Sequence, residues 1–304
     1  MESKYYVDYF KDFHPLVNFS YYLSVIAISF ITNNIYLQGI LFFSAIFYHL
    51  YLKGLKSSIK TIRVMLISMV LIIIVNPLVN HQGVTILGYI WDGNPITLES
   101  ILYGVSAATM LITVIIWFNT YNEIITSDKF IYLFGRIIPK ASLIFSMVLR
   151  FVPLYKEEIV AIEKAQRTLG KGVKNKKLIT KIKHSLNILS IFVTWALESS
   201  IETADSMKAR GYGLRGRTAF SNFRITKRDY ITLAIIGISD LLLIFLFTKG
   251  SYKFTYYPMI KLAKLNTISI VGLLATFILC NIPMIINISE EIKWNKRRVI
   301  NAFE

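Results

Sequence analysis

Uncharged apolar runs recur along the chain at lengths suited to a bilayer, separated by short polar or cationic breaks. The runs predict helices at Phe19 to Ile31, Tyr36 to Leu52, Ile62 to Leu78, Leu98 to Phe118, Tyr230 to Phe247 and Ile268 to Ile288. The first is short and parted from the second only by the polar turn Thr32, Asn33 and Asn34, so six spans are expected, with five as the alternative. Between the fourth and fifth runs the pattern changes. Apolar residues there recur in steps of three and four, which describes amphipathic helices and not continuous lipid-facing ones. The expected class is therefore all-α: a polytopic membrane protein in residues 1–121 and 229–304, with a module of amphipathic helices in residues 122–228.

Within that module the series Leu186, Leu189, Val193, Ala196, Ser200, Ala204, Met207 and Gly211 makes one stripe on a long helix. Its uncharged stretch is too short to span, and Glu198, Glu202 and Asp205 follow at steps of four and three, each costly in hydrocarbon. The helix is expected to lie on or under the membrane. A second amphipathic helix is predicted from Leu154 to Leu169, ended by Gly170, Lys171 and Gly172. Before it, Arg136-Ile137-Ile138-Pro139 marks a break and Ala141 to Phe151 a further helix closed by Pro153.

Composition agrees with the pattern: 54% of the 304 residues are hydrophobic and 17% charged, which excludes an ordinary soluble globule. Charge then supplies direction. The formal net charge is +16, and most of the excess sits between Asn122 and Arg228. Short cationic loops stay in the cytoplasm, so Lys53, Lys56, Lys60 and Arg63 face inward and the cation-free stretch Asn80 to Thr97 faces outward. On the same alternation the amphipathic module, the tail Lys293, Lys296, Arg297 and Arg298, and both termini are cytoplasmic. Lys249, Lys253, Lys261 and Lys264 run against this rule. Anionic lipid headgroups account for part of the basic excess. Glu2, Asp8 and Asp12 stand where a removable export signal carries basic residues, so the whole chain is expected to be mature.

Two helix ends share a grammar. Ala165, Arg167 and Gly170 close one, and Ala209, Arg210 and Gly211 the other. Ala allows close approach, Arg presents a fork that holds a carboxylate by two hydrogen bonds, and Gly stops the helix. The plainer alternative is a C-cap with a cation favoured by the helix dipole.

With these pieces in view the chain resembles the transmembrane T component of energy-coupling factor (ECF) importers, the family that includes the Q-type subunits of cobalt and nickel uptake systems. His14-Pro15, Asn76-Pro77-Leu78 with Gly83, Leu149-Arg150-Phe151-Val152-Pro153, Ala204, Met207 and Ala209-Arg210-Gly211 carry the resemblance in order. It implies two cytoplasmic coupling helices whose arginines engage two ABC-type ATPase subunits. It also implies a separate substrate-binding S component that takes up a vitamin or a transition-metal ion. The second motif maps onto Ala209, Arg210 and Gly211. The first departs from the pattern, with Leu169 where Arg is expected and Arg167 or Lys171 as substitutes.

Other motifs point away from chemistry in this chain. Gly211, Gly213 and Gly216 spell GxGxxG, but a helix precedes them where a dinucleotide site needs a strand. No GxxxxGK[ST] sequence occurs, so ATP is expected to bind elsewhere and no cofactor is expected here. Glu198, Glu202 and Asp205 have no His or Cys within a turn, and a supporting role with cations such as Arg150, Lys181 or Lys183 is expected of them. Asp240 stands out as an acid inside a predicted span. The basic face lacks any nucleic-acid motif, so no nucleic-acid partner is expected. A non-catalytic coupling subunit in the plasma membrane of a prokaryote is the leading expectation, and an independent channel or membrane-embedded enzyme the alternative.

Overall fold

A computed structural model describes residues 8–89, 93–135, 138–171, 178–212, 214, 223–261 and 266–301. The chain divides into two units, one formed by residues 1–126 with 223–304 and the other by residues 127–222.

The first unit is a bundle of α1 (Pro15–Ile31), α2 (Ile35–Val79), α3 (Leu98–Ile124), α7 (Lys227–Thr248) and α8 (Thr267–Asn301), entered through a 3-10 turn at Tyr9–Asp12. Four of these, α2, α3, α7 and α8, are long and apolar enough to cross a membrane, and α1 is a shorter apolar helix of 17 residues. The expected second and third spans are joined in α2. A straight helix of its 45 residues would reach about 68 Å, twice a hydrocarbon core. Gly54 resolves the length: it takes φ 71° and ψ 160°, outside the helical region. The Ser58 hydroxyl then donates to the His49 carbonyl at 3.3 Å, although nine straight helical residues would separate them by about 13 Å. Thus α2 folds back at Gly54 into two arms, with Lys53 paired to Glu123 of α3 at 2.9 Å beside the bend.

Helix starts follow the sequence closely. His14 accepts the Leu16 N–H ahead of Pro15, and Asn34 accepts the Tyr36 N–H at 3.0 Å. Asp229, in the first turn of α7, accepts from the Thr226 N–H and hydroxyl at 2.7 Å and from the His14 N–H at 3.0 Å. One carboxylate therefore fixes the entries of both α7 and α1. Between α2 and α3 a short antiparallel hairpin, β1 (Ile86–Tyr89) with β2 (Pro95–Thr97), closes the connection. Gly83 packs there against Thr97 and Glu99 with φ 141°, a conformation and a space that only glycine accepts. In the bundle centre Trp117 is fully buried, its ring 6.0 Å from Tyr21 and 6.3 Å from both Tyr22 and Tyr48.

A polar knot fastens the N-terminal turn. The Asp8 carboxylate accepts from the Phe10 N–H at 3.1 Å, from Asn287 Nδ2 at 2.7 Å and from the Tyr48 hydroxyl at 3.2 Å. Burial pushes the Asp8 carboxyl above its ordinary value, against the lowering pull of those three donors. The folded chain consequently holds this proton more tightly than the unfolded chain, and stability falls as pH rises from the ordinary carboxylate range through the raised value. Asp8→Asn keeps an acceptor and no charge, so it should flatten that pH dependence. Asp8→Ala strands buried donors and should cost about 1–3 kcal/mol. Thermal midpoints of the three proteins in detergent across pH check both expectations.

The second unit contains α4 (Ser127–Gly135), α5 (Pro139–Gln166) and α6 (Leu178–Ala209). The break expected at Arg136-Ile137-Ile138-Pro139 falls where α4 gives way to α5, Arg136 and Ile137 lying outside the described residues. The joint expected at Pro153 is corrected: α5 runs through it as one helix of 28 residues. Proline removes one N–H, the donor to the Leu149 carbonyl, but the rest of the ladder on either side suffices to carry the helix across.

Candidate docking site

The two long helices of the second unit meet through aromatic rings. Phe151 stacks on Tyr155, one turn along α5, with centroids 5.5 Å apart and planes 6° from parallel. Tyr155 then meets α6 edge-on, 5.4 Å from Phe192 and 5.7 Å from Trp195. These four rings pin the crossing. Their spacings of four and three residues are a signal in the sequence, one that the longer apolar stripe of α6 masks. Elsewhere the pair buries little. Among the described residues α6 has no buried side chain, and Ile162 is the only buried one in α5. The α6 face bearing Ile182, Leu186, Leu189 and Val193 is exposed, and Ile179 at its start is 82% exposed. Exposed apolar surface of this kind is characteristic of protein or membrane contact sites.

The end of α6 is built to hold Arg210 in place. Gly211 adopts φ 80°, its N–H donates to the Lys208 carbonyl at 2.9 Å, and the Tyr212 N–H donates to the Met207 carbonyl at 3.0 Å. This is the paired-bond Schellman closure, with glycine at the left-handed position it requires. Arg210 is thus the last residue before the turn, exposed, and without an ion pair among the described residues. Ala209 beside it is also exposed. Gly213 and Gly216, the remainder of the GxGxxG string, lie outside the described residues.

The end of α5 is different. After Gln166 the helix widens into a π turn over Arg167–Lys171. Such turns are uncommon and often mark functional positions. Arg167 folds back on Glu163 at 2.6 Å, an i,i+4 pair on one helix surface. Ala165 and Leu169 are exposed, Leu169 by 68%. The glycine stop expected at Gly170 and Gly172 is corrected to this extent: Gly170 belongs to the π turn, and Gly172 lies outside the described residues. The two motifs therefore present different tips, one with an uncommitted guanidinium and one whose guanidinium is engaged locally.

The carboxylates expected to support the crossing take other roles. Asp205 pairs with Lys208 on its own helix at 3.7 Å, where partners across the crossing were expected. Glu198 and Glu202 are exposed and make no ion pair among the described residues, so neither bonds Arg150, Lys181 or Lys183. The cause is geometric: the aromatic rings set the helix separation at their level and leave Arg150 and Glu202 on the walls of an open cleft. Among the described residues no three His, Cys, Asp or Glu side chains gather where a metal ion would sit. In the first unit Asp240 of α7 accepts a hydrogen bond from the Ser24 hydroxyl of α1, which gives that acid a partner between two helices.

Comparison with known proteins places these features in a family. Residues 11–220 match the family model described as CbiQ, cobalt transport protein. Over 110 residues the chain is 36% identical to the energy-coupling factor transporter transmembrane protein EcfT of Lactobacillus helveticus (strain DPC 4571), covering 36% of this chain and 40% of that protein. Over 173 residues it is 28% identical to the protein of the same name from Staphylococcus aureus (strain 04-02981), covering 52% of this chain and 65% of that one. A third, from Brevibacillus brevis (strain 47 / JCM 6285 / NBRC 100599), is 35% identical over 99 residues, 32% of this chain and 37% of its own length. The chain thus matches between about two fifths and two thirds of the length of these relatives.

Proposed function

Because the chain belongs to the CbiQ family of cobalt transport proteins, we propose that it is the transmembrane coupling subunit of an ECF-type ATP-driven importer. Its exposed α6 tip docks one of two ABC-type ATPase subunits, and the π turn after α5 docks the other. The crossed helices α5 and α6 convey ATPase motion to a substrate-binding S component in the bilayer, for uptake of a vitamin or a transition-metal ion. The module and both termini face the cytoplasm in this reading.

The observation that carries it is the combination at the end of α6. A 32-residue helix with no buried side chain among those described ends in a rigid turn that displays one uncommitted guanidinium. A helix serving only its own bundle would bury a stripe, and a cation serving only as a cap would bond the last carbonyls. Here the backbone closes itself through Gly211 and Tyr212, leaving Arg210 for another molecule. The sequence has no nucleotide-binding loop of its own, which supports an energy source in a partner. Transmission requires stiff elements with a contact that persists through the cycle, and the four-ring crossing supplies stiffness.

Gentle purification of the tagged chain from its native membrane should bring down two ATPase polypeptides and at least one small membrane protein. Liposomes containing the chain alone should show neither solute movement nor conductance. Transport or turnover by the isolated chain would overturn the proposal in favour of a channel or an enzyme.

A further inference from the structure

A cleft of about 440 Å³ opens between α5 and α6 below the α6 tip, lined among others by Arg150 and Phe151 of α5, by Glu202 and Ser206 of α6, and by Arg210 and Tyr212 just after it. Neither guanidinium, nor Glu202, forms an ion pair among the described residues. Two cations and one anion thus share one opening and remain uncompensated by one positive charge. We propose that this cleft receives a single carboxylate from the docked ATPase, held between Arg150 and Arg210, so that one acidic side chain bridges both coupling helices. The proposal rests on the docking reading above and adds α5 to a contact that the motif assigns to α6 alone.

Charge balance leads to this occupant. A partner that covers Arg210 also desolvates the cleft beneath it, and a covered guanidinium without an anion is strongly unfavourable. Glu202 offsets one of the two arginines; one incoming carboxylate offsets the other. The guanidinium fork suits that ligand, since it offers two parallel N–H donors to a carboxylate. The anion has to come from the same partner, because a lipid headgroup in the cleft would occupy the face of Arg210 that docking uses. Held from both sides, the carboxylate would also tie the free end of α6 to α5, beyond the aromatic crossing.

Dissociation constants of the ATPase pair for the full chain in detergent test this, with Arg150→Ala, Arg150→Lys, Arg210→Ala, the double alanine variant and Glu202→Gln. Arg150→Ala should weaken binding at least about fivefold and Arg150→Lys less, as expected for a charge contact shared across an interface. The double variant should lose less than the product of the two single losses, because both side chains hold one group. Glu202→Gln should tighten binding, an outcome that misfolding cannot imitate. Wild-type affinity in Arg150→Ala with binding lost in Arg210→Ala would overturn the shared cleft while leaving the docking reading intact. Wild-type affinity in both would overturn the docking reading itself. An Arg150 effect that vanishes when anionic lipid is omitted would assign the cleft to a headgroup and also overturn the proposal.

Discussion

Arg210→Glu should abolish ATPase association and ATP-dependent uptake while leaving the chain in the membrane. The side chain is exposed, stands directly after the last residue of α6, and has no ion pair among the described residues, so its reversal removes nothing from the fold that the structure shows. The local cost is a carboxylate near a helix C-terminus, about 0.3–1 kcal/mol at an exposed position. In the proposed docking the interfacial cost is far larger, because a group that would attract an acidic partner would now repel it, and like charges juxtaposed across an interface cost several kcal/mol. Arg210→Gln separates the two effects by removing charge without adding repulsion, and it should be intermediate. Arg167→Glu should do less. Its guanidinium is engaged by Glu163 at 2.6 Å, and breaking an exposed i,i+4 pair costs only about 0.2–0.5 kcal/mol, with a like-charge penalty of similar size. Co-purification of the ATPases and uptake into whole cells read both variants. ATPases that still co-purify with Arg210→Glu would contradict the assignment of that tip.

The all-helical membrane class is legible in the sequence because a long uncharged run satisfies its own backbone in hydrocarbon by forming a helix. The helix starts at Pro15, Ile35 and Leu98 lie within a few residues of the run boundaries. The α6 tip is equally legible, since an Arg-Gly pair after a helical stripe specifies a left-handed closure that few residues besides glycine accept. What the sequence hides is everything decided by contacts between distant segments. Pro153 has the signature of a terminus because proline forfeits a hydrogen bond, yet one lost bond does not outweigh a helix continuous on both sides. Asp205, expected to reach across the crossing, instead meets Lys208 three residues on, since nothing in spacing tells how far apart two helices are held. That separation is set by Tyr155 against Phe192 and Trp195. Asp8 reads in the sequence only as an acid ahead of the first span, and its partners Tyr48 and Asn287 lie 40 and 279 residues away.

Tyr155→Ala should separate docking from transport: the ATPases should still assemble and hydrolyse ATP, and uptake should fall by about fivefold or more. The ring touches Phe151, Phe192 and Trp195, and aromatic pairs contribute roughly 0.5–1.5 kcal/mol each beyond area burial. Two of these pairs join α5 to α6, so losing them removes at least about 1 kcal/mol from the crossing, roughly a fivefold change in the population of the pinned arrangement by the usual conversion. No buried layer among the described residues of α5 and α6 replaces it, because only Ile162 is buried there. Arg210 and its closing turn lie more than four helical turns beyond Phe192, so the docking tip remains formed. In the proposed mechanism a force applied at that tip would then rotate α6 against a slack α5, and ATP would be spent without moving the S component. Tyr155→Phe keeps the ring and should transport normally, which distinguishes the loss of packing from the loss of a hydroxyl. ATP hydrolysis and uptake measured together in proteoliposomes holding the whole complex read the result. Equal loss of both activities in Tyr155→Ala would show that the crossing is needed for assembly and not for transmission.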